Sequence, residues 1–210
     1  MQSTWTVTHI DRRQWSCKEE IALSKPVRTI KLKPPLNDSD VSSLQIGDKV
    51  LIDGTIYTAR DAAHKRLFEL IATRKDLPFS LKGEVIYYVG PTPPRPGRPI
   101  GAAGPTTSYR MDPYTPRLVE LGLKATIGKG PRAPEVIDAM KKFKAVYLVA
   151  IGGTGALLGR QVVKSELIAF EDLGTEAIRR LTVRDFPAIV ANDVTGRDIF
   201  KEAVAKYATK

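Results

Sequence analysis

Several stretches of the chain arrange hydrophobic and polar residues in patterns typical of β-strands. Residues 27–32 alternate between the two kinds, and Pro34 and Pro35 end the pattern, which predicts a half-buried strand. Residues 145–151 are continuously apolar, which predicts a central strand buried on both faces. The remaining predicted strands are 49–58, 84–89, 125–127, 166–170 and 188–191.

Other stretches place apolar residues three or four positions apart, as on one face of a helix. Residues 60–73 do so with Ala63, Leu67 and Leu70. The further predicted helices are 134–143, 155–163, 197–207, and one that begins near Thr107 or Ser108 and runs to about Leu121. Strands and helices follow one another without a strict period, so we predict an α/β or α+β fold in which small mixed sheets are flanked by helices.

The first twenty residues differ in their pattern of polar and apolar positions from the rest of the chain. Residues 1–20 are polar and show no periodicity, with Trp5 and Trp15 as isolated aromatics, which predicts an N-terminal arm that becomes ordered against a partner. Residues 21–210 are then expected to form one domain. Within it, residues 90–104 form a loop rich in proline and glycine, whose length favours a functional or partner-contacting role.

Composition narrows the classes of function. The net charge of +10 calls for a negatively charged partner, but no zinc finger, basic zipper or RNP-type motif is present, so we expect no nucleic-acid binding. The longest apolar run is too short to cross a bilayer of about 30 Å, and no signal peptide follows Met1, so we expect a soluble cytoplasmic protein without a membrane role. Cys17 is the only cysteine, so this chain alone cannot form a disulfide or hold an iron–sulfur cluster.

Residues 104–112 concentrate groups that bind anions. Thr106, Thr107 and Ser108 offer hydroxyls suited to a helix N-cap, and Arg110 adds a guanidinium that can clamp a carboxylate with two hydrogen bonds. A helix N-terminus also carries about half a positive charge and unpaired backbone N–H groups. The segment therefore predicts a carboxylate site, against the plainer alternative of a helix cap with a solvated arginine.

Two further segments add charge at predicted element ends. Arg60, Asp61 and His64 lie where a strand passes into a helix, which is either an anion clamp with a titratable imidazole or an ordinary amphipathic helix start. Lys129, between two glycines, follows another strand. Together with the hydroxyls of residues 106 and 107 and the guanidinium of Arg110, these cations form the parts of a dicarboxylate receptor.

Other catalytic patterns are missing from the sequence. The acidic residues show neither EF-hand nor H-E-x-x-H spacing, and no G-x-S-x-G occurs, so we expect no metal site and no hydrolase elbow in this chain. Gly153, Gly155 and Gly159 give a spacing one residue longer than the dinucleotide fingerprint. We interpret these glycines as permitting close packing of a strand and a helix or contact with a partner chain.

At this point several segments together resemble one family, the β subunit or equivalent C-terminal domain of the iron–sulfur class I fumarases and L-tartrate dehydratases. The resemblance covers roughly Lys25 to Phe200. Its segments are 58–64 (TARDAAH), 90–92 (GPT), 104–112 (GPTTSYRMD), 128–130 (GKG), 151–153 (IGG) and 183–188 (VRDFPA).

The resemblance implies a swivelling β/β/α domain that pairs with an α subunit, as an α2β2 assembly, in which three cysteines of the α subunit hold a 4Fe-4S cluster. It implies that Arg60, Thr107, Arg110 and Lys129 bind the substrate carboxylates. It also implies that Thr106 is the candidate catalytic base. His64 and Asp61 are candidates for supporting these groups from behind.

The implied activity is the reversible hydration of fumarate to L-malate, a reaction of the tricarboxylic acid cycle. Two alternatives stay open: the β subunit of an L-tartrate dehydratase, and a non-catalytic module that binds a dicarboxylate. Tyr109, Gly130-Pro131 and Thr154-Gly155 depart from the pattern of the family. Because tartrate differs from malate by one hydroxyl on the reacting carbon, Tyr109 is a candidate for reading that hydroxyl.

Overall fold

The computed structural model describes residues 27–208 and shows strands and helices interleaved along the chain. The predicted arm, with Trp5, Trp15 and Cys17, lies outside the described residues. The strands are β1 (Thr29–Leu32), β2 (Lys49–Thr58), β3 (Val85–Tyr87), β4 (Ala125–Gly128), β5 (Val146–Val149), β6 (Val162–Ala169) and β7 (Ile178–Asn192). The helices are α1 (Asp38–Ser42), α2 (Asp61–Ala72), α3 (Thr115–Glu120), α4 (Pro134–Phe143), α5 (Gly155–Arg160) and α6 (Ile199–Tyr207), with 3-10 turns at Ser108–Met111 and Glu171–Glu176.

Within residues 27–208 the strands join in one seven-stranded sheet of order β1-β2-β3-β4-β5-β7-β6. Strands β1 to β5 run parallel to one another, whereas β7 is antiparallel to β5, β6 and β2. Because β7 pairs with both β5 and β2, the strands β2 to β5 and β7 form a closed ring of pairings. The predicted α/β class is confirmed, and a single closed mixed sheet takes the place of the several small sheets that the sequence suggested.

Alternate residues of β3 enter two different cores. Val85 and Tyr87 of β3 pack with Val50 of β2 and Leu148 of β5 in the larger core. Ile86 points the other way, into the core that the α2 helix covers. Since both faces of β3 and β5 are buried, their sequences read as continuous apolar runs, whereas β1 alternates between exposed and buried positions.

Proline and charge explain where the predicted elements were wrong. The helix expected to run to Leu121 is interrupted after Met111, because Pro113 has no backbone N–H with which to continue the helical hydrogen bonds. The strand expected over 188–191 is only the end of the fifteen-residue β7, in which Pro187 and a run of charged residues obscured the pattern. The helix expected over 155–163 ends at Arg160, and β6 begins at Val162.

The long loop of residues 90–104 packs tightly on α5. Thr92 exchanges backbone hydrogen bonds with the other arm of the loop, and the N–H of Ala103 donates to the carbonyl of Gly155 (2.8 Å). A Cβ at Gly159 would lie only 2.3 Å from the carbonyl oxygen of Gly101. The glycines at 155 and 159 therefore serve close packing, as predicted, although the contact is between a helix and a loop.

Among residues 27–208, no helix is both long and apolar enough to span a membrane.

Candidate functional site

Three of the predicted site segments meet at the carboxyl edge of the parallel strands. Arg60 follows β2, and Lys129 follows β4. Residues 104–112 cross this edge: the N–H of Thr106 donates to the carbonyl of Tyr88 after β3 (2.8 Å), and the N–H of Lys129 donates to the carbonyl of Thr106 (3.1 Å). The N–H of Ser108 returns a bond to the carbonyl of Lys129 (2.9 Å). The carboxyl edge of parallel strands is the usual place for ligands in such sheets.

Arg110 connects two of these segments through its side chain. Its Nη2 donates to Thr106 Oγ1 at 2.6 Å, and its Nε lies 3.4 Å from Asp61 Oδ1 at the start of α2. The side chain remains 38% exposed, so part of the guanidinium is open to a ligand. A guanidinium that retains free donors can bind a carboxylate with two hydrogen bonds.

Arg60 lies on the other side of Asp61. Its Nη2 is 3.6 Å from Asp61 Oδ2 and 3.5 Å from Glu176 Oε1, while the other Glu176 oxygen accepts the N–H of Ala62 (3.0 Å). A Cβ at Gly90 would lie 3.1 Å from Arg60 Nη1, so the glycine makes room for the guanidinium. One carboxylate, that of Asp61, is thus shared between two arginines from distant parts of the chain.

Lys129 and Thr107 lie beside this pair of arginines. Lys129 is exposed, and within residues 27–208 its amine forms no ion pair. Thr107 forms a parallel β-bridge with Lys129 and directly precedes the 3-10 turn, as its N-cap residue. Its hydroxyl makes no capping hydrogen bond, and the turn spans only four residues, so the expected capping of a long helix by this hydroxyl is wrong.

His64 is buried beneath the arginines rather than presented to a ligand. Its Nδ1–H donates to the carbonyl of Arg60 (2.8 Å), and its ring packs against Tyr88 and Tyr114 at centroid distances of 5.4 and 5.7 Å. Burial lowers the pKa of His64 to about 4, and the charge of Arg132 adds to this effect. The imidazole is therefore neutral near pH 7 and supports Arg60 from behind.

Unsatisfied polar atoms concentrate at this place. Among the described residues, the buried side-chain atoms without a hydrogen-bond partner include Arg60 Nε, Asp61 Oδ2 and His64 Nε2, all at the start of α2. Buried polar atoms normally find partners, and exceptions call for a ligand, a water or a functional reason. The cluster marks this helix start as a place where a polar molecule would complete the hydrogen bonding.

The side chain of Tyr109 is directed elsewhere. It is 62% exposed and lines a cleft with Pro113, Pro116 and Val136 on the side of α3 and α4. Arg60, Arg110 and Lys129 do not line that cleft.

Sequence reasoning missed a buried arginine below the site. Arg132 has a fully buried side chain that forms an ion pair with Asp112 at 2.7 Å and donates to Thr115 Oγ1 at 2.6 Å. Its guanidinium also lies 4.9 Å from the ring centroid of Tyr147. The only signal in the sequence was its place three residues after Lys129, and a lone arginine there gives no indication of burial.

The donor set of the site fits an anion and does not fit a metal. Within residues 27–208 no three histidine, cysteine, aspartate or glutamate side chains lie close enough to hold a metal ion. The groups at the edge are guanidiniums, an ammonium and hydroxyls, which attract carboxylates or phosphates, and the carboxylates of Asp61 and Glu176 lie against the arginines.

Comparison with known proteins identifies the family. The family described as "Fumarase C-terminus" matches residues 5–203, which includes most of the arm that the sequence analysis left outside the resemblance. The chain is 38% identical to "Fumarate hydratase class I, anaerobic" of Escherichia coli over 89% of its own length and 33% of that protein. It is 36% identical to "Fumarate hydratase 2" of Leishmania major, covering 34% of it.

A third relative is matched over nearly its whole length. The "Putative L(+)-tartrate dehydratase subunit beta" of Methanocaldococcus jannaschii is 36% identical over 83% of this chain and 93% of its own length. The chain thus spans about a third of the two fumarate hydratases and nearly all of a relative named as a subunit. The resemblance stated from the sequence is confirmed: the chain belongs to the family of fumarase C-terminal domains.

Proposed function

We propose that this chain is the β subunit of a two-chain class I fumarate hydratase, which hydrates fumarate reversibly to L-malate. The observation that carries the proposal is the convergence of Arg60 and Arg110 on the start of α2, with Thr106 in contact with Arg110 and Lys129 on the adjoining strand end. Family membership supports the same reaction class.

In this proposal the cations bind the two carboxylates of the substrate. Arg110 and Lys129 come from neighbouring segments, so they can grip two carboxylates at once, while Arg60 supports the same region from α2. Asp61 lies 3.4 Å and 3.6 Å from its two arginines, longer than a direct hydrogen bond. A substrate carboxylate could therefore bind these guanidiniums more closely than Asp61 does.

Loss of water from malate needs an electrophile at the hydroxyl, a base at the neighbouring carbon and compensation for the developing negative charge. A 4Fe-4S cluster on a partner α subunit would supply the electrophile, since the described residues of this chain offer no ligand set for it. The cations of this chain compensate the charge.

Thr106 is the proposed base. Its Oγ1 accepts from Arg110 Nη2 at 2.6 Å, and a cation at that distance favours the deprotonated hydroxyl electrostatically. The oxygen would take the proton from the carbon next to the leaving hydroxyl. If Thr106→Val keeps its turnover while Arg110→Ala loses it, Thr106 is a binding group and not the base; recovery of activity in Thr106→Ser supports the base.

A second candidate is L-tartrate dehydratase. It is favoured by the tartrate-named relative, which is matched over nearly its full length and is named as a subunit β. The outward direction of Tyr109 gives no support to its reading the extra hydroxyl of tartrate.

The test is co-expression of this chain with the cluster-bearing α subunit, followed by anaerobic assay with fumarate, malate and L-tartrate. We expect copurification in equal amounts, as α2β2, and turnover of fumarate and malate that neither chain shows alone. Turnover of tartrate alone would assign the second candidate. A complex that binds malate without turning it over would make the chain a non-catalytic dicarboxylate module.

A further inference from the structure

Arg132 is the centre of a buried polar network below the candidate site. Its side chain is completely shielded from solvent. Nε donates to Asp112 Oδ1 at 2.7 Å, Nη2 to Thr115 Oγ1 at 2.6 Å, and Nη1 to Thr126 Oγ1 at 3.1 Å. These bonds use the guanidinium in several directions at once, which a lysine ammonium on a flexible stem cannot reproduce.

This network ties together the two segments that carry the proposed carboxylate-binding groups. Asp112 directly follows the 3-10 turn that contains Arg110, whereas Arg132 lies three residues after Lys129. The second oxygen of Asp112 accepts the N–H of Ala133 at 2.8 Å. Both carboxylate oxygens of Asp112 are therefore bonded to the segment that follows Lys129.

A second cross-link joins the same two segments. Ser108 Oγ and Tyr147 OH lie 2.8 Å apart, and Tyr147 OH donates to the carbonyl of Gly130 at 2.8 Å. The Arg132 guanidinium lies over the Tyr147 ring, 4.9 Å from its centroid. The turn bearing Arg110 and the loop bearing Lys129 are thus held in one relative position from below.

We infer that Arg132 is a positioning residue that fixes the spacing between Arg110 and Lys129, and thereby sets the length of the dicarboxylate that the site accepts. The inference rests on the proposed function. A buried ion pair contributes little stability compared with apolar packing. The pair of Arg132 and Asp112 is therefore better explained by the fixed relative position that it gives the two segments. A ligand with two carboxylates needs both partners at a fixed separation, and a misplacement of about 1 Å can cost about a hundredfold in rate.

The test compares Arg132→Lys with the wild type in the assembled two-chain enzyme. Inhibition constants are measured for succinate, a four-carbon dicarboxylate, and for glutarate, which is one carbon longer. The wild type is expected to bind succinate more tightly than glutarate, and the ratio of the two inhibition constants should be about tenfold smaller in the variant. The KM for malate should rise by a larger factor than kcat falls.

Arg28→Lys is the matched control. Arg28 also pairs with an aspartate, donating to both oxygens of Asp48 at 3.0 and 2.6 Å, but it is half exposed and lies just before β1, at the opposite edge of the sheet. This control is expected to keep the wild-type ratio of inhibition constants. Should Arg132→Lys fail to fold, Asp112→Asn, which keeps the shape of the side chain and removes the charge, takes its place in the same assay.

The outcomes separate this inference from the proposed function. A variant with a lowered melting temperature but an unchanged succinate-to-glutarate ratio would show a purely structural role for Arg132 and overturn the inference. If the wild-type complex neither turns over malate nor binds succinate, the proposed function itself has failed.

Discussion

Gly128, the last residue of β4, gives the sharpest geometric prediction. A Cβ at this position would lie 1.9 Å from Ser108 Oγ and 3.0 Å from Tyr88 Cδ2. Ordinary contact begins at 3.4 Å, so Gly128→Ala forces Ser108 Oγ to move by about 1.5 Å and to leave its hydrogen bond with Tyr147 OH, whereas Ser108 Cβ, at 3.3 Å, moves little. Because this bond ties the turn that carries Arg110 to β5, its loss loosens the proposed carboxylate-binding turn relative to Lys129.

The cost of Gly128→Ala can be estimated from that overlap. Overpacking of a well-packed interior typically costs about 1–3 kcal/mol of folding free energy, and each kcal/mol lowers the melting temperature by roughly 2–4 °C in a domain of this size. A resulting misplacement of Arg110 by about 1 Å would lower kcat/KM of the two-chain enzyme by about a hundredfold. Melting temperature and steady-state rates with malate measure the two effects.

Two further variants test the reasoning. Gly152→Ala is the control, because this glycine follows the neighbouring strand β5 at the same edge and a Cβ added there would have nothing within 4 Å. Ser108→Ala removes the clashing oxygen, so Gly128→Ala should cost much less in that background. Equal losses from Gly128→Ala with and without Ser108 Oγ would refute the steric argument.

Three other predictions follow from the contacts of single residues. The pKa of His64 is about 4 in the folded chain, below the ordinary 6.5, so the unfolded chain binds more protons between these two pH values. The free energy of unfolding should therefore fall by about 3 kcal/mol as pH drops from 7 to 4. Urea titrations of His64→Asn should show a smaller fall over the same pH range. Lys129→Met should leave the melting temperature unchanged, because the side chain is exposed, but raise KM for malate by about tenfold. Gly159→Ala places a Cβ 2.3 Å from the carbonyl oxygen of Gly101, so it should lower the melting temperature and increase proteolysis of residues 90–104. Unchanged proteolysis would contradict the tight packing of that loop.

The local pattern of apolar and polar residues was sufficient to predict most of the parallel strands and the helices α2 and α4. The residues 49–58 and 134–143 were predicted with the bounds that the structure gives, because regularly spaced buried positions leave an apolar signal in the sequence. Most of β7 was not predicted from the sequence, because its exposed positions carry charge and Pro187 interrupts the pattern. Closure of the sheet through β7 is a long-range property that no local window contains.

In the candidate site too, contacts within one segment differ from contacts that depend on the fold. The bond between Arg110 and Thr106 lies within residues 104–112, the segment that the sequence indicated as an anion site. The sharing of Asp61 between Arg60 and Arg110 depends on β2 and β3 lying side by side, which only the fold establishes. The burial of His64 and Arg132 was not foreseeable either, because it depends on tyrosines contributed by other strands.

The most direct test of the central claim is the rate of malate dehydration by the two-chain enzyme with Arg110→Ala in place of the wild-type chain. Hydrogen bonds to a charged partner contribute about 1.5–3 kcal/mol, so kcat/KM should fall between roughly tenfold and a hundredfold or more, while Arg197→Ala, on a similar surface arginine paired with Glu202, stays at the wild-type rate. Equal rates for wild type, Arg110→Ala and Arg197→Ala would contradict the assignment of this edge as the dicarboxylate site.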